Sequence, residues 1–222
     1  MHPALRRAAA LSFLSVLIGT SSTWAESSKK HEHEHGHHHE MTEQEQKIYS
    51  GYFEDDQVKD RPLSDWDGHW QSVYPYLENG TLDPVMAQKA ESGNKTAEEY
   101  RAYYETGYKT DVDWISIEGN EVTFFKQGEP SKATYESDGY EILTYAKGNR
   151  GVRFIFKKTS GDDHAPKFFQ FSDHSIAPVK AHHFHIYFGD DRAKLLEEVT
   201  NWPTFYPFSL NGEQIVEEML AH

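Results

Sequence analysis

The sequence predicts a mainly β domain, folded as a barrel or a sandwich, with a few helices added to it. From residue 112 onward, apolar and polar residues alternate with a period of two, which is the pattern of half-buried strands. Two short turn signals, Gly119–Asn120 and "KGNR" at residues 147–150, separate neighbouring runs of this kind and predict hairpins. Many short strands joined by tight turns within one domain leave the barrel and the sandwich both open.

The first 25 residues have the pattern of a secretory signal. Arg6 and Arg7 precede an apolar run, "AAALSFLSVLIG", which is too short to span a bilayer. Thr23 and Ala25 then supply the small residues of a cleavage site. We therefore predict that residues 1–25 direct export and are removed, with no membrane insertion of the mature chain.

Residues 26–41 are polar and of low complexity, and we predict that they form a flexible arm. The arm contains "HEHEHGHHHE", in which six of ten residues are histidine. Imidazole is a common ligand of metal ions, so the arm is a candidate for weak, mobile metal binding. Its candidate ligands are His31, His33, His35, His37, His38 and His39.

The remaining residues, 42–222, suit a single domain with a sizeable core. Thr42 with Glu45, and Thr96 with Glu99, have capping-box spacing at the start of two predicted helices. The first runs over residues 42–53, and the second is the latter half of a helical region at 83–108 that is broken at residues 92–94. Two further helices, at 192–199 and 211–221, are predicted to close the chain on either side of the aromatic–proline stretch "NWPTFYPF".

About eight strands are predicted between these helices. They are residues 68–73, 112–118, 121–126, 133–137, 140–146, 151–158, 167–174 and 183–189.

Composition excludes several classes of function. The formal net charge is −14, which argues against a nucleic-acid partner and favours the approach of cations. There is no cysteine, so neither a disulfide framework nor a thiolate metal site can form. The sequence contains no phosphate-binding glycine loop, no G-x-S-x-G and no H-E-x-x-H motif.

The strongest chemical feature is "HFHIYFG" at residues 183–189. In a strand, residues i and i+2 point to the same side, so His183 and His185 project together. His174 ends the preceding predicted strand, and whether it shares their face depends on the register of the two strands. Three imidazoles suit Zn²⁺ with a fourth position left open, and copper or nickel bind similar nitrogens. We therefore predict a primary metal site at His174, His183 and His185.

Other interpretations of these residues remain open. His183 and His185 could be ordinary strand residues on a solvated face. A three-histidine zinc site with an open position could also catalyse hydrolysis or hydration, with Tyr187, Asp173 or His182 as the available proton carriers. A third hypothesis is a lipocalin-type carrier of small apolar ligands in which metal is incidental.

Four longer stretches resemble the ZinT (YodA) family of periplasmic zinc-binding and zinc-trafficking proteins. They are "LSDWDGHWQSVYPYL", "DGYEILTYAKGNRGVRFIF", "APKFFQFSDHSIAPVKAHHFHIYFG" and "NWPTFYPFSL…EEML". The similarity runs over residues 42–222, and the His-rich segment after the signal is also typical of the family.

The resemblance implies a calycin or lipocalin-like β-barrel with additional helices at the N-terminal side and the C-terminus. It places the family's metal ligands on His174, His183 and His185, with a fourth position taken by water, an anion or a residue of the His-rich segment. It also implies a non-enzymatic periplasmic role in zinc homeostasis. Zinc would pass to ZnuA, the solute-binding component of a zinc ABC importer, and cadmium binding is associated with the family.

Overall fold

Eight antiparallel strands close into a barrel within residues 41–197 and 200–221, the part of the chain that the computed structural model describes. Each strand pairs with the next one along the chain, and the last pairs back onto the first. This closure confirms a lipocalin-like barrel rather than a sandwich. The strands are β1 (Gly68–Ser72), β2 (Val112–Glu118), β3 (Glu121–Lys126), β4 (Glu129–Thr144), β5 (Arg150–Gly161), β6 (Phe168–Ser172), β7 (Phe184–Gly189) and β8 (Thr204–Pro207).

Helices lie before the second strand and after the last strand, and all of them were predicted except the short helix at Tyr74–Glu78. They are α1 (Glu43–Tyr49), α2 (Tyr74–Glu78), α3 (Asp83–Ser92), α4 (Ala97–Tyr108) and α5 (Gly212–Ala221). Both predicted capping boxes form, at Thr42 with Glu45 and at Thr96 with Glu99. Within the described residues, none of the helices combines the length and the apolar character that a membrane span requires. Residues 1–40, which hold the predicted signal and the six arm histidines, lie outside the described residues.

Aromatic side chains fill the inside of the barrel. Phe154 and Phe156 on β5, and Phe169 and Phe171 on β6, stand two residues apart and therefore point to the same side. Trp66, from the turn before β1, stacks on Phe171 with 4.7 Å between ring centroids. Seven interior phenylalanines are at most 1% exposed, and each contributes about 1.5–3 kcal/mol of hydrophobic stabilisation. An interior packed in this way argues against a carrier that holds its ligand inside the barrel.

A second apolar cluster joins the outer surface of the barrel to the helices. Val85 and Met86 of α3, Tyr108 of α4 and Ile215 of α5 are buried against Tyr206 of β8. Because β8 also pairs with β1 and β7, this cluster fixes the helical layer over one side of the barrel. The helices therefore cover the outer surface of the barrel at β7 and β8.

The strand count agrees with the prediction, but two strand assignments differ. Residues 133–137 and 140–146 are parts of one strand, β4, whose pairing with β5 shifts between Ser137 and Tyr140. Gly139, with φ of +80°, lies in this irregularity and adopts a conformation that other residues disfavour. The stretch "NWPTFYPF" contains β8, which the sequence reading missed because its two prolines indicate a loop.

The predicted helix at 192–199 is wrong for the residues that are described. Only Lys194–Leu196 form a single 3₁₀ turn, and residues 198–199 lie outside the described residues. Arg192 explains part of the difference, because its guanidinium donates to Asp138 and Glu141 of β4 at 2.7 and 3.0 Å. These contacts tie the segment to the barrel wall.

A buried ion-pair network around Arg61 joins the chain before β1 to the connection between β6 and β7. Its guanidinium donates to both carboxylate oxygens of Asp173, at 2.6 and 2.8 Å, and to Asp65 at 2.8 Å. It also donates to the carbonyl of Val179 at 2.7 Å and lies 4.0 Å from the ring centroid of Trp66. Arg61 is 1% exposed, so these partners replace its hydration.

We expect Arg61→Met to destabilise the protein by about 3–5 kcal/mol, because it leaves the Asp173 carboxylate buried without its cation. Urea denaturation of the metal-free protein measures the loss. Arg101→Met is the matched control, since Arg101 pairs with Asp83 on the surface and exposed pairs contribute about 0–1 kcal/mol. Equal losses in the two variants would contradict the role given to Arg61.

Candidate metal centre

Three histidines converge between the barrel and the helical layer. His174 lies in the connection after β6, His183 immediately precedes β7, and His185 is the second residue of β7. Their ring centroids are 6.0 Å apart for His174 and His183, 5.7 Å for His174 and His185, and 6.1 Å for His183 and His185. The rings therefore form a nearly equilateral triangle.

Strand register explains why the rings share one side. Ser172, the last residue of β6, lies opposite His185 of β7. The neighbouring pair, Phe171 and Ile186, fills the barrel interior, so Ser172 and His185 face outward. The same alternation carries His183 to the outer side and brings the end of β6 beside the two strand histidines.

His174 completes the triangle through an unusual backbone conformation. Its φ is +65°, which places a non-glycine residue in the left-handed region. Its ring stacks on Tyr49 at the end of α1, with centroids 4.3 Å apart and an interplanar angle of 21°. Strained backbone of this kind clusters at functional sites, where the surrounding structure maintains it, and it also occurs in tight turns such as the one at Gln127.

Each ring has a partner that limits its rotation. His174 Nδ1 lies 3.2 Å from the carbonyl oxygen of Tyr49, and His185 Nδ1 lies 2.8 Å from Oγ1 of Thr204. The His183 ring stacks on Tyr206, with centroids 5.1 Å apart and an interplanar angle of 9°. The partners come from α1 and β8, so a helix outside the barrel and the barrel itself both contribute to the site.

The surroundings of His185 favour its neutral form. Burial lowers the pKa of His185 well below the ordinary value, and the nearby His174, His183 and Arg153 lower it further. The imidazole thus stays neutral to a lower pH than a solvated histidine does. Because metal ions bind the neutral ring, fewer protons compete with the metal at this position.

The size of the triangle is close to that required by one ion. For tetrahedral Zn²⁺ with Zn–N bonds of about 2.0–2.1 Å, the ring centroids stand about 5 Å apart. Within residues 41–197 and 200–221, no three His, Asp or Glu side chains already have the donor spacing of an occupied metal site. Binding of one Zn²⁺ by all three rings would bring their centroids about 1 Å closer together than they lie here.

A cavity of about 120 Å³ borders the three histidines. Lys89 of α3, Tyr104 of α4 and Met219 of α5 line its far side. A single water molecule takes up about 30 Å³ of liquid volume, so the cavity has room for one beside the histidines.

Other residues named from the sequence lie apart from this cavity or have structural contacts. His182, one of the three candidate proton carriers, is exposed. The carboxylate of Asp173 accepts hydrogen bonds from Arg61. The guanidinium carbon of Arg153 lies over the ring of Tyr187, 3.3 Å from the ring centroid.

Sequence reasoning missed three residues that contact the histidines. They are Tyr49, Thr204 and Tyr206. Tyr49 ends a predicted helix, but nothing in the sequence relates it to His174. Thr204 and Tyr206 belong to β8, and recognising that strand would have placed both beside β7.

Comparisons with known proteins identify relatives over nearly all of the described residues. A family model described as ZinT (YodA) periplasmic lipocalin-like zinc-recruitment matches residues 44–222. The chain is similar to the probable metal-binding protein YrpE of Bacillus subtilis (strain 168), with 59% identity over 181 residues, or 81% of this chain and 72% of YrpE.

The chain is also similar to part of a longer protein. It is 54% identical over 185 residues to the zinc-binding lipoprotein AdcA of Streptococcus pneumoniae, which covers 82% of this chain and 37% of AdcA. The chain thus matches little more than a third of that relative. The crystal structure of the Zn(II)-bound ZinT-like domain of AdcA matches with a TM-score of 0.76 and 55% identity, covering 78% of this chain and 97% of that domain.

The backbone of His174 gives a test of the site's strain. We expect His174→Gly to be more stable than His174→Ala by about 1 kcal/mol in the metal-free protein, because glycine adopts the left-handed conformation without steric cost. Urea denaturation measures both variants.

The control is the neighbouring Ser175, which has an ordinary negative φ. There, the alanine variant should be at least as stable as the glycine variant, since glycine has the larger unfolded-state entropy. If His174→Ala were as stable as His174→Gly, the left-handed backbone at this position would be refuted.

Proposed function

The chain belongs to the ZinT (YodA) family, and from this membership and the site geometry we propose that it binds Zn²⁺ through His174, His183 and His185. The convergence of the three imidazoles on one small cavity carries the proposal. Three neutral nitrogens at about 2.0–2.1 Å, with a fourth position open, match the coordination that Zn²⁺ prefers. Cd²⁺, Ni²⁺ or Cu²⁺ would compete for the same nitrogens, because ligand type alone discriminates weakly among these ions.

The proposed role is capture and handover of zinc under zinc limitation. In this role the mature protein works in the periplasm after export by residues 1–25. It passes the ion to the solute-binding component, of the ZnuA type, of a zinc ABC importer. The relative AdcA is named a zinc-binding lipoprotein and is similar to this chain over 37% of its length, which supports a place in zinc acquisition.

Binding rather than turnover is proposed for this site. The matched relatives are named as metal-binding or zinc-binding proteins. A zinc hydrolase would also need a base or proton carrier beside the bound water. Among the described residues that line the cavity, none is a carboxylate, and Asp173 is engaged by Arg61.

We expect His183→Ala to weaken zinc binding by more than about 100-fold, which exceeds the loss from removing an outer-shell partner. Calorimetric titration of the metal-free protein gives both stoichiometry and affinity. His164→Ala is the matched control, because its ring is 91% exposed and removed from the site. Unchanged stoichiometry and affinity in His183→Ala would show that the ligands lie elsewhere.

Activity assays of the wild type and of His174→Ala separate binding from catalysis. The wild type should show no zinc-dependent hydrolysis of ester or hydration of CO₂ above the rate of free zinc. An activity that is lost in His174→Ala would favour the enzyme instead.

The His-rich arm is proposed to recruit zinc for the primary site. Its six histidines, at residues 31–39, are tethered to the domain by a short linker, so their effective concentration near the site is in the ~mM range. In this scheme the arm histidines bind zinc weakly and exchange it quickly, which raises the supply of zinc ions to the primary site.

Replacing the six arm histidines with glutamine should remove the weak zinc equivalents and slow zinc transfer to a ZnuA-type protein. The primary site should keep its affinity within about threefold, because its own three ligands are intact. Stopped-flow transfer with a zinc indicator measures the rate. A variant lacking residues 31–39 serves as a second test of the same segment, and the arm has no role if both variants match the wild type in affinity and in rate.

A further inference from the structure

The hydroxyl oxygen of Thr204 lies 2.8 Å from Nδ1 of His185, one of the three histidines of the candidate site. We propose that this hydroxyl is a positioning group that fixes the tautomer of His185, so that Nε2 is always the metal-binding nitrogen. The inference rests on the proposed function, since it assigns a role within the same site. The hydrogen-bond geometry around Thr204, which is 2% exposed, supports the inference.

The direction of each hydrogen bond follows from counting protons. Oγ1 of Thr204 lies 3.0 Å from the carbonyl oxygen of Trp202, and a carbonyl oxygen can only accept. The single hydroxyl proton is therefore used in that bond. Oγ1 must then accept at its 2.8 Å contact with His185, so the proton of this second bond is on Nδ1 of the imidazole. A neutral imidazole with a proton on Nδ1 presents a lone pair at Nε2.

The same count applies to a second ligand and gives the same result. His174 Nδ1 lies 3.2 Å from the backbone carbonyl oxygen of Tyr49. Because that oxygen has no proton to donate, Nδ1 of His174 is also the donor. Two ligands from different parts of the chain are therefore set in the same tautomer by different kinds of acceptor.

The Trp202 carbonyl, which accepts from Thr204, belongs to a segment that is hydrogen-bonded to the end of α4. The backbone N–H of Trp202 donates to the carbonyl of Gly107 at 2.6 Å. The side-chain amide of Asn201 donates to the carbonyls of Gly107 and Lys109 at 3.1 and 2.8 Å. A Cβ atom on Gly107 would lie 2.4 Å from the Trp202 ring, so glycine permits this close packing. The positioning chain thus runs from α4 through Trp202 and Thr204 to His185.

The strand pairing keeps the hydroxyl in place. Thr204 lies opposite His185 in the pairing of β7 with β8. A β-branched residue has restricted rotamers and packs well in a strand. Threonine therefore supplies an oriented hydroxyl with little side-chain freedom to lose.

Thr204→Val tests this role, because valine keeps the branched shape and removes the hydroxyl. The zinc dissociation constant should rise about 10–100-fold, as is usual for loss of an outer-shell partner. Thr204→Ser, which keeps the hydroxyl, should bind zinc within about threefold of the wild type. Competition with a chelator of known affinity measures all three proteins.

The decisive readout is the tautomer in the zinc-free protein, obtained from ¹⁵N–¹H correlation spectra of the histidine rings. The wild type and Thr204→Ser should show His185 with a protonated Nδ1 and an unprotonated Nε2. Thr204→Val should show a mixture of the two tautomers. Circular dichroism and the melting temperature check that each variant is folded.

Two results would overturn the inference. One is a wild-type spectrum that shows the proton on Nε2 of His185. This result does not depend on the folding of any variant. The other is a folded Thr204→Val protein with the wild-type tautomer and affinity. Failure of the proposed function gives a different result: His185→Ala would keep the wild-type zinc affinity, whatever the tautomer in the zinc-free protein.

Discussion

The position of the candidate metal centre depends on one buried cation. Arg61 lies before β1, yet its guanidinium binds Asp173, the residue directly before His174, and the carbonyl of Val179 farther along the same connection. A buried arginine is stable only with its charge and its donors satisfied, so the connection between β6 and β7 is held at these two points. The loop between the proposed ligands His174 and His183 is thus anchored by an ion pair and a hydrogen bond rather than by regular secondary structure.

The filled barrel explains why the site lies outside it. A lipocalin-like barrel can enclose a ligand only where its interior side chains leave room, and here phenylalanines and Trp66 occupy that space. The outward positions of β7 and β8 are covered by α3, α4 and α5, which turn a barrel surface into the wall of a small cavity. Two rigid layers therefore enclose the histidines. The barrel supplies His185, and the helical layer restricts access to it.

The sequence was sufficient for the strand histidines but not for the whole site. His183 and His185 follow from the two-residue period of a strand, which needs no knowledge of the fold. His174 lies near them because of a left-handed backbone and because Ser172 pairs with His185, and neither the backbone conformation nor the register can be read from one sequence. β8 was missed because its prolines indicate a loop. Thr204 and Tyr206 were missed for the same reason. Their contacts with the histidines depend on the pairing of β7 with β8.

The chemical nature of the ring partners bears on the proposed handover of zinc. A carboxylate that accepts a hydrogen bond from the second ring nitrogen of a histidine ligand makes the ring more basic and strengthens its bond to the metal. Here the Nδ1 partners of His174 and His185 are a backbone carbonyl and a hydroxyl, which orient the rings but carry no charge. The left-handed backbone at His174 adds a strain that the rest of the loop must maintain. Oriented rings with uncharged partners favour capture of zinc without very tight retention, which suits the proposed handover of zinc to a partner protein.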